Sequence, residues 1–353
     1  MTPHDLLATF ETLAEASDGI ARLRELVLQL AVRGKLVSQD PNDEPACVLL
    51  ERIAVEKVRL VKEGKIAKPK LLPPVGEKER PFEVPPGWVW CRLGELAETI
   101  TKGSSPNWQG ITYVEPPQGI LFITSENVGV GSLRLDNRKY VESRFNKIEL
   151  RSILQFGDLL MNIVGASIGR TCIYDLNTVA NINQAVCLIR PLLHVIDGSV
   201  PFFLHLLNSQ STIMQMFDKQ VDMARANLSM GNIARFLIPL PPVAEQHRIV
   251  AKVDTLMALL DRLEATQRER ETTRAVLRDA ALAALRDAPD AGTAEAAWGR
   301  IAERMDDLFT DPADVAPLRQ AILQLAVRGK LVPQDPNDEP ACVLLERIAA
   351  EKM

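Results

Sequence analysis

The chain has 353 residues, 46% hydrophobic and 25% charged, with a formal net charge of −5 at pH 7. That length predicts two or three domains, and the composition excludes a long disordered chain and a uniformly basic nucleic-acid coat. Acidic and basic residues balance over 1–80 and again over 81–240, so the whole excess of acid lies in 241–353 and the middle is free to present a local basic surface.

Residues 4–33 carry Leu6, Leu7, Phe10, Leu13, Ile20, Leu23, Leu26, Val27 and Leu30 at spacings of three and four, which predicts helix, with Asp18 as a cap for its second part. Gly34 is placed to end it in a left-handed conformation. SQDPND predicts a loop, and Pro45 the start of a second helix to about Lys62. The first helical region is thus 1–65. The stretch 66–87, rich in proline and charge, predicts an exposed connector, and the basic run KVRLVKEGKIAKPK that leads into it (Lys57–Lys70) is read as a solvated helix face, with contact to a nucleic-acid backbone as the alternative.

From 88 to 240 the texture changes. ILFITS, SLRL, KYV, GDLLMNIVG, TCIYD and AVCLIRP are short β-favouring runs separated by Gly, Asn, Ser and Pro, and VPFFLHLLNSQSTIMQMF predicts a helix. The fold class expected is α+β, one mixed globular domain flanked by long helices in an antiparallel coiled-coil or bundle arrangement. The third region, 241–353, opens with a stretch (about 242–287) that after Pro242 has no Gly or Pro until Pro289, enough for a helix of about 65 Å. Ile249, Val253, Leu256, Leu260 and Leu263 form a helix-pairing seam in it, which recovers at Leu277 and Ala281 after a polar interval.

The chain ends on a near copy of its beginning. Leu23–Lys57 matches Leu318–Lys352 except at Glu25/Gln320, Leu26/Ala321, Val27/Ile322, Ser38/Pro333 and Val55/Ala350. Solenoid units adjoin one another, and these two copies are far apart. Duplicated loop residues mean that a whole surface was copied. The expectation is a partner met twice in the same way, through Gln29, Arg33, Lys35 and their counterparts Gln324, Arg328 and Lys330.

Chemistry of the chain's own is not expected. GVG at Gly129–Gly131 lacks the remaining glycine of a dinucleotide turn, RGKL is no phosphate loop, and His4, His194, His205 and His247 have no metal-ligand spacing. The five cysteines are odd in number and scattered, which predicts a reduced protein of the cytoplasm. The N-terminus does not read as a signal peptide, and no apolar run reaches the roughly 18 residues of a membrane span.

The order of LQLAVRGKLVSQDPNDEPACVLLERI, PFEVPPGWVWCRLGEL, GDLLMNIVGASIGRTCIYD with NINQAVCLIRP, and NLSMGNIARFLIPLPPVAEQHRIVAKVDTLM resembles the specificity subunits of type I restriction–modification systems, over essentially all of 20–353. The resemblance implies a non-catalytic, prokaryotic subunit whose recognition domain reads half of a split DNA site, with helices that fix the gap between halves. It implies methyltransferase partners that use S-adenosylmethionine, and a motor and nuclease partner that uses ATP and Mg. Family members carry two recognition domains and this sequence has one. It is therefore expected either to homodimerise and read an interrupted palindrome or to be a fragment of a longer subunit. A coiled-coil adaptor without DNA binding is the competing reading.

Base reading requires hydrogen-bonding tips on loops over a rigid sheet. The candidates are Lys102, Ser104, Ser105, Trp108, Gln109, Ser125, Asn127, Arg225 and Asn227, with Arg134, Arg138, Lys139 and Arg144 as phosphate contacts. NINQ and ASIGR are assigned structural roles, because their recurrence in a family that reads different sequences argues against base reading.

Overall fold

The computed structural model describes residues 10–16, 18–116, 118–192, 200–218, 228–332 and 335–352. They form two compact units, Met1–Asp261 and Arg262–Met353. The division falls inside the long helix rather than at the composition boundaries near 65, 88 and 241. The first helical region packs in the same unit as the globular domain.

In the first unit the first repeat copy forms α1 (Gly19–Val32) and α2 (Ala46–Lys62). The helix expected over 4–33 is broken: a short helix, Phe10–Ala14, ends before it, and residues 1–9 lie outside the described set. Asp18 does not cap with its side chain; it takes φ 57°, left-handed, to turn the chain. The fold-back is tight enough that a Cβ on Gly19 would lie 2.0 Å from the Leu13 carbonyl oxygen. Gly34 does end α1 in the left-handed region (φ 64°), and a Cβ there would meet Pro85 Cγ at 2.4 Å. Both turn geometry and packing demand glycine.

The globular part holds three sheets. β1 (Val89–Arg92) pairs antiparallel with β9 (Leu237–Leu240), bringing the start and end of the domain together. A four-stranded antiparallel sheet has the order β2 (Ala97–Lys102), β8 (Val186–Pro191), β5 (Leu159–Asn162), β6 (Thr171–Ile173). A three-stranded sheet has the order β4 (Lys139–Glu142), β3 (Gly119–Ile123), β7 (Ala180–Ile182), the last pair parallel. Leu121, Ile123, Leu160, Tyr174, Ile182 and Leu188 share one core between the two larger sheets. The SLRL run supplies only a bridge, Val128 to Leu133, whereas β1, β2, β7 and β9 carry no strong alternating pattern. The helix expected over VPFFLHLLNSQSTIMQMF is two, α3 (Val200–Leu207) and α4 (Gln210–Asp218). Between them the Asn208 side chain accepts from Thr171 N (3.1 Å) and donates to Thr171 O (2.9 Å) and to the Leu204 carbonyl (3.0 Å), tying the end of α3 to the β6 backbone. A short helix, α5 (Met230–Ala234), precedes β9.

The long helix α6 runs Val243–Arg286. Within the first unit its opening half is antiparallel to α1. Arg24, early in α1, pairs with Asp261 at 2.7 Å, while Gln39 and Asp43, beyond its end, meet Glu245 and Arg248. Ile249, Val253, Leu256 and Leu260 are buried on this half, as are Ile20, Leu23, Val27 and Ala31 on α1.

The second unit contains the rest of α6, α7 (Ala291–Ala302), α8 (Val315–Val327) and α9 (Ala341–Glu351). Leu282, Leu285, Ala294, Ala297, Ile301, Ala321 and Leu325 form its core. Leu263 is half-buried and Leu277 is exposed, so the seam does not recover at Leu277, whereas Ala281 does pack against this core. From there the buried residues are Leu282 and Leu285 of α6 and Ala288 just past its end, in one core with residues of α7 and α8. α8 runs parallel to the end of α6, since Arg274 donates to Thr310 and Arg278 pairs with Asp314, while further along Arg328 donates to the Arg286 carbonyl and Lys330 to that of Ala288.

The two repeat copies meet different surroundings. Val32 and Leu36 are 1% and 3% exposed, and their counterparts Val327 and Leu331 are 88% and 51% exposed. Leu49 and Ile53 are buried in α2, and Leu344 and Ile348 stand exposed on α9.

Candidate nucleic-acid interface

β2 is an edge strand, paired with β8 on one side. At its end Gly103 passes so close to β7 that a Cβ would lie 1.9 Å from the Ile182 carbonyl oxygen. This close approach launches the loop Ser104–Gly110 away from the sheet. A 3₁₀ turn, Pro106–Gln109, buries Pro106 and leaves Trp108 78% exposed. Gln109 turns inward, donating to Ser104 Oγ (3.2 Å) and Glu149 Oε1 (3.0 Å), so it braces the loop instead of facing solvent. Ser105 is half-buried at the start of the turn, and its side chain makes no capping bond.

Beside this loop lies a cavity of 440 Å³, lined among others by Lys102, Ser104, Trp108, Arg151, Gln184 and Met230. Its carboxylate, Glu149, is buried and engaged by Gln109. The rest of the lining includes two cations, one amide, two hydroxyls and one exposed indole. Cations hold phosphates, a side-chain amide can pair two-pronged with adenine, and an exposed ring can stack on a base or a sugar. The sequence does not single out Arg151 or Met230, and it assigns Gln184 a structural role, not a base-reading one. Gln184 belongs to NINQ, whose Asn181 does have a structural part, donating to Asn146 Oδ1 and the Glu149 carbonyl.

The other candidates stand elsewhere. Asn127 is 2% exposed, and its amide is fully used: it accepts from Thr124 N and Oγ1 and donates to the carbonyls of Arg134 and Asn137. It cannot read a base and instead ties the loop between β3 and β4. Ser125 is half-buried, and its carbonyl accepts from Asn162 Nδ2 at 2.9 Å. Arg134 and Arg138 are exposed on that loop, while Lys139 pairs with Glu126 at 2.9 Å. Arg144 is held by Glu142 and the Gly110 carbonyl. Thr112 and Arg144 together hold the Glu142 carboxyl down to about 2. Arg225 and Asn227 lie outside the described residues.

The duplicated cations are used differently. Arg33 stacks over Phe82 at 5.2 Å and Lys35 is exposed, whereas Arg328 and Lys330 donate to carbonyls at the end of α6. Gln29 donates to Glu25, and Gln324 is exposed. Among the described residues no cluster of His, Cys, Asp or Glu could hold a metal ion, and no helix is long and apolar enough to cross a membrane.

The family described as the type I restriction modification DNA specificity domain matches residues 85–272, from the turn before β1 into α6. The chain belongs to this family. It is 38% identical over 347 residues to the type I restriction enzyme EcoAI specificity subunit of Escherichia coli, covering 95% of this chain and 56% of that protein. The EcoEI specificity subunit of Escherichia coli is 37% identical over 343 residues, with 95% and 55% covered. The chain thus spans a little over half the length of these relatives. Among solved structures, the HsdS subunit of Thermoanaerobacter tengcongensis is 20% identical, covers 75% of this chain and 52% of that one, and has a TM-score of 0.40.

Proposed function

We propose that this chain is a DNA sequence-specificity subunit of a type I restriction–modification complex, non-catalytic by itself. The carrying observation is the cavity at Trp108, which sets Lys102, Arg151 and Gln184 around an exposed indole inside the segment the family covers. The globular domain reads a DNA half-site, and the repeat copies recruit methyltransferase subunits. Those partners use S-adenosylmethionine to methylate adenine N6 on a flipped base. A motor and nuclease subunit, using ATP and Mg, joins for restriction. The setting is the prokaryotic cytoplasm.

The apolar face of the second copy favours a second element in this reading. Its counterpart in the first copy is covered by the domain it precedes, with Pro85 and Trp88 against Gly34. The exposed Val327, Leu331 and Leu344 face is the equivalent surface for another recognition domain, carried by a longer chain or by an assembled partner. As a homodimer, the chain would read one half-site twice, as an interrupted palindrome.

The test is co-expression with the matching methyltransferase subunit, followed by single-molecule mapping of methylated adenines. An interrupted palindrome supports half-site reading by a homodimer. An intact complex that methylates no motif overturns it in favour of a chain that needs a second domain. If no complex forms, the docking role of the repeat is wrong.

A further inference from the structure

A second groove of 840 Å³ opens along β2 and shares Thr101, Arg151 and Met230 with the cavity at Trp108. One wall is the connector after α2; the other is α5 and the residue that follows it. Lys68, Lys70, Arg151 and Arg235 line this groove, against the single carboxylate of Glu98. All four cations are exposed. Lys68, Lys70 and Arg235 have no ion-pair partner among the described residues, and Arg151 has Glu149 only at 3.8 Å. The remaining basic groups of the lining are committed: Lys57 to the Gly94 carbonyl, Lys65 to Glu63 and Arg190 to Asp158.

A row of like charges held along one groove is unfavourable unless an anion neutralises it. The connector that brings Lys68 and Lys70 there has no helix or strand of its own over 67–76. Its charges are therefore not the solvated face of a helix. Because the groove runs directly into the Trp108 cavity, a polyanion seated in one continues into the other. The lining holds no Asn or Gln amide to read a base. It can grip a backbone without regard to sequence.

We infer that this groove is a phosphate track. It holds the sugar–phosphate backbone of duplex DNA flanking the bases met at Trp108, and so lengthens the footprint beyond the half-site. The inference rests on the DNA-binding reading above and adds to it a site and a role for the connector.

The test uses the full chain with Lys68→Ala, Lys70→Ala and Arg235→Ala combined, titrated with a long mixed-sequence duplex over a series of salt concentrations. Every phosphate that the variant no longer neutralises lowers the slope of log affinity against log salt by about 0.9, so a fall of roughly 2–3 is expected. The weakening should be equal for duplexes of different sequence. Lys68→Glu with Lys70→Glu, confined to the irregular connector, should act in the same direction without altering the thermal midpoint. Parental salt slopes in both variants overturn the phosphate track. A parental chain that binds no duplex overturns the DNA-binding reading itself, which is a different result.

Discussion

Trp88 donates its indole N–H to Glu245 Oε2 at 2.9 Å across 157 residues of chain, and Gln39 donates to Oε1 of the same carboxylate at 2.8 Å. One buried side chain thus joins the first repeat copy, the turn leading into β1 and the first turn of α6. Arg248, one turn further along, adds a two-pronged pair with Asp43. The PPGW, SQDPND and PVAEQHR segments, distant in sequence, are three sides of one joint.

Removing the acceptor should leave the buried Trp88 N–H without a partner, at about 1–3 kcal/mol, with a smaller loss at the better-solvated Gln39. Glu245→Ala is expected to lower unfolding free energy in urea by roughly 2–3 kcal/mol, and Glu245→Gln by less. A Glu245→Ala variant as stable as the parent would show that this joint does not hold the unit together.

Burial lowers the Lys57 ammonium from 10.5 to about 8, with Glu95 and Cys91 pulling partly the other way. Between those values the unfolded chain still holds a proton that the folded chain has released. The Lys57 contribution to stability therefore rises with pH through that window, by about 3 kcal/mol at most, and below about pH 8 the cost of burying the charge is full. Lys57→Met removes this titration. The stability of the parent relative to Lys57→Met should climb between about pH 8 and 10 in parallel denaturation series. Burial pushes the thiol of Cys187 well up, which works against stability at high pH in both proteins and cancels in the difference.

The same substitution should act differently in the two repeat copies. Val32→Asp puts a carboxylate into a closed core and should destabilise by about 3 kcal/mol or more. Val327→Asp changes an exposed position and should stay within about 0.5 kcal/mol. Thermal unfolding of the two variants measures this directly, and equal effects would contradict the difference in burial.

In the globular domain, stability and the proposed DNA binding should separate. Asn127→Ala removes four hydrogen bonds that close the loop between β3 and β4 and should cost about 2–4 kcal/mol of stability. Trp108→Ala should leave the thermal midpoint unchanged and weaken DNA binding, with about 1–3 kcal/mol lost if a base stacks on the ring. A Trp108→Ala chain with parental affinity for DNA would remove this residue from the interface.

Much of the architecture is legible in the sequence because it is local or repeated. A run without Gly or Pro announces α6, and Gly34 marks the end of α1 by the one conformation that favours glycine. The β2 and β7 strands are not legible, because their stability comes from partners in β8 and β3 and not from an alternating pattern of their own. The candidate surface is legible only in part. Loop composition singles out Lys102, Ser104 and Trp108, but it cannot separate an Asn facing solvent from one like Asn127, whose amide is consumed by carbonyls seven and ten residues away. Nor can it bring Arg151 and Gln184, from other parts of the chain, to the same cavity.

By itself the sequence determined that one helical surface is made twice, that a mixed domain follows the first copy, and which family's motifs stand in which order. Tertiary structure alone decided that the first copy is closed and the second open. The two copies are nearly identical in sequence, so no property of the repeat can distinguish them. Burial belongs to a residue together with what covers it, and only the first copy has Trp88, Pro85 and the start of α6 folded over it.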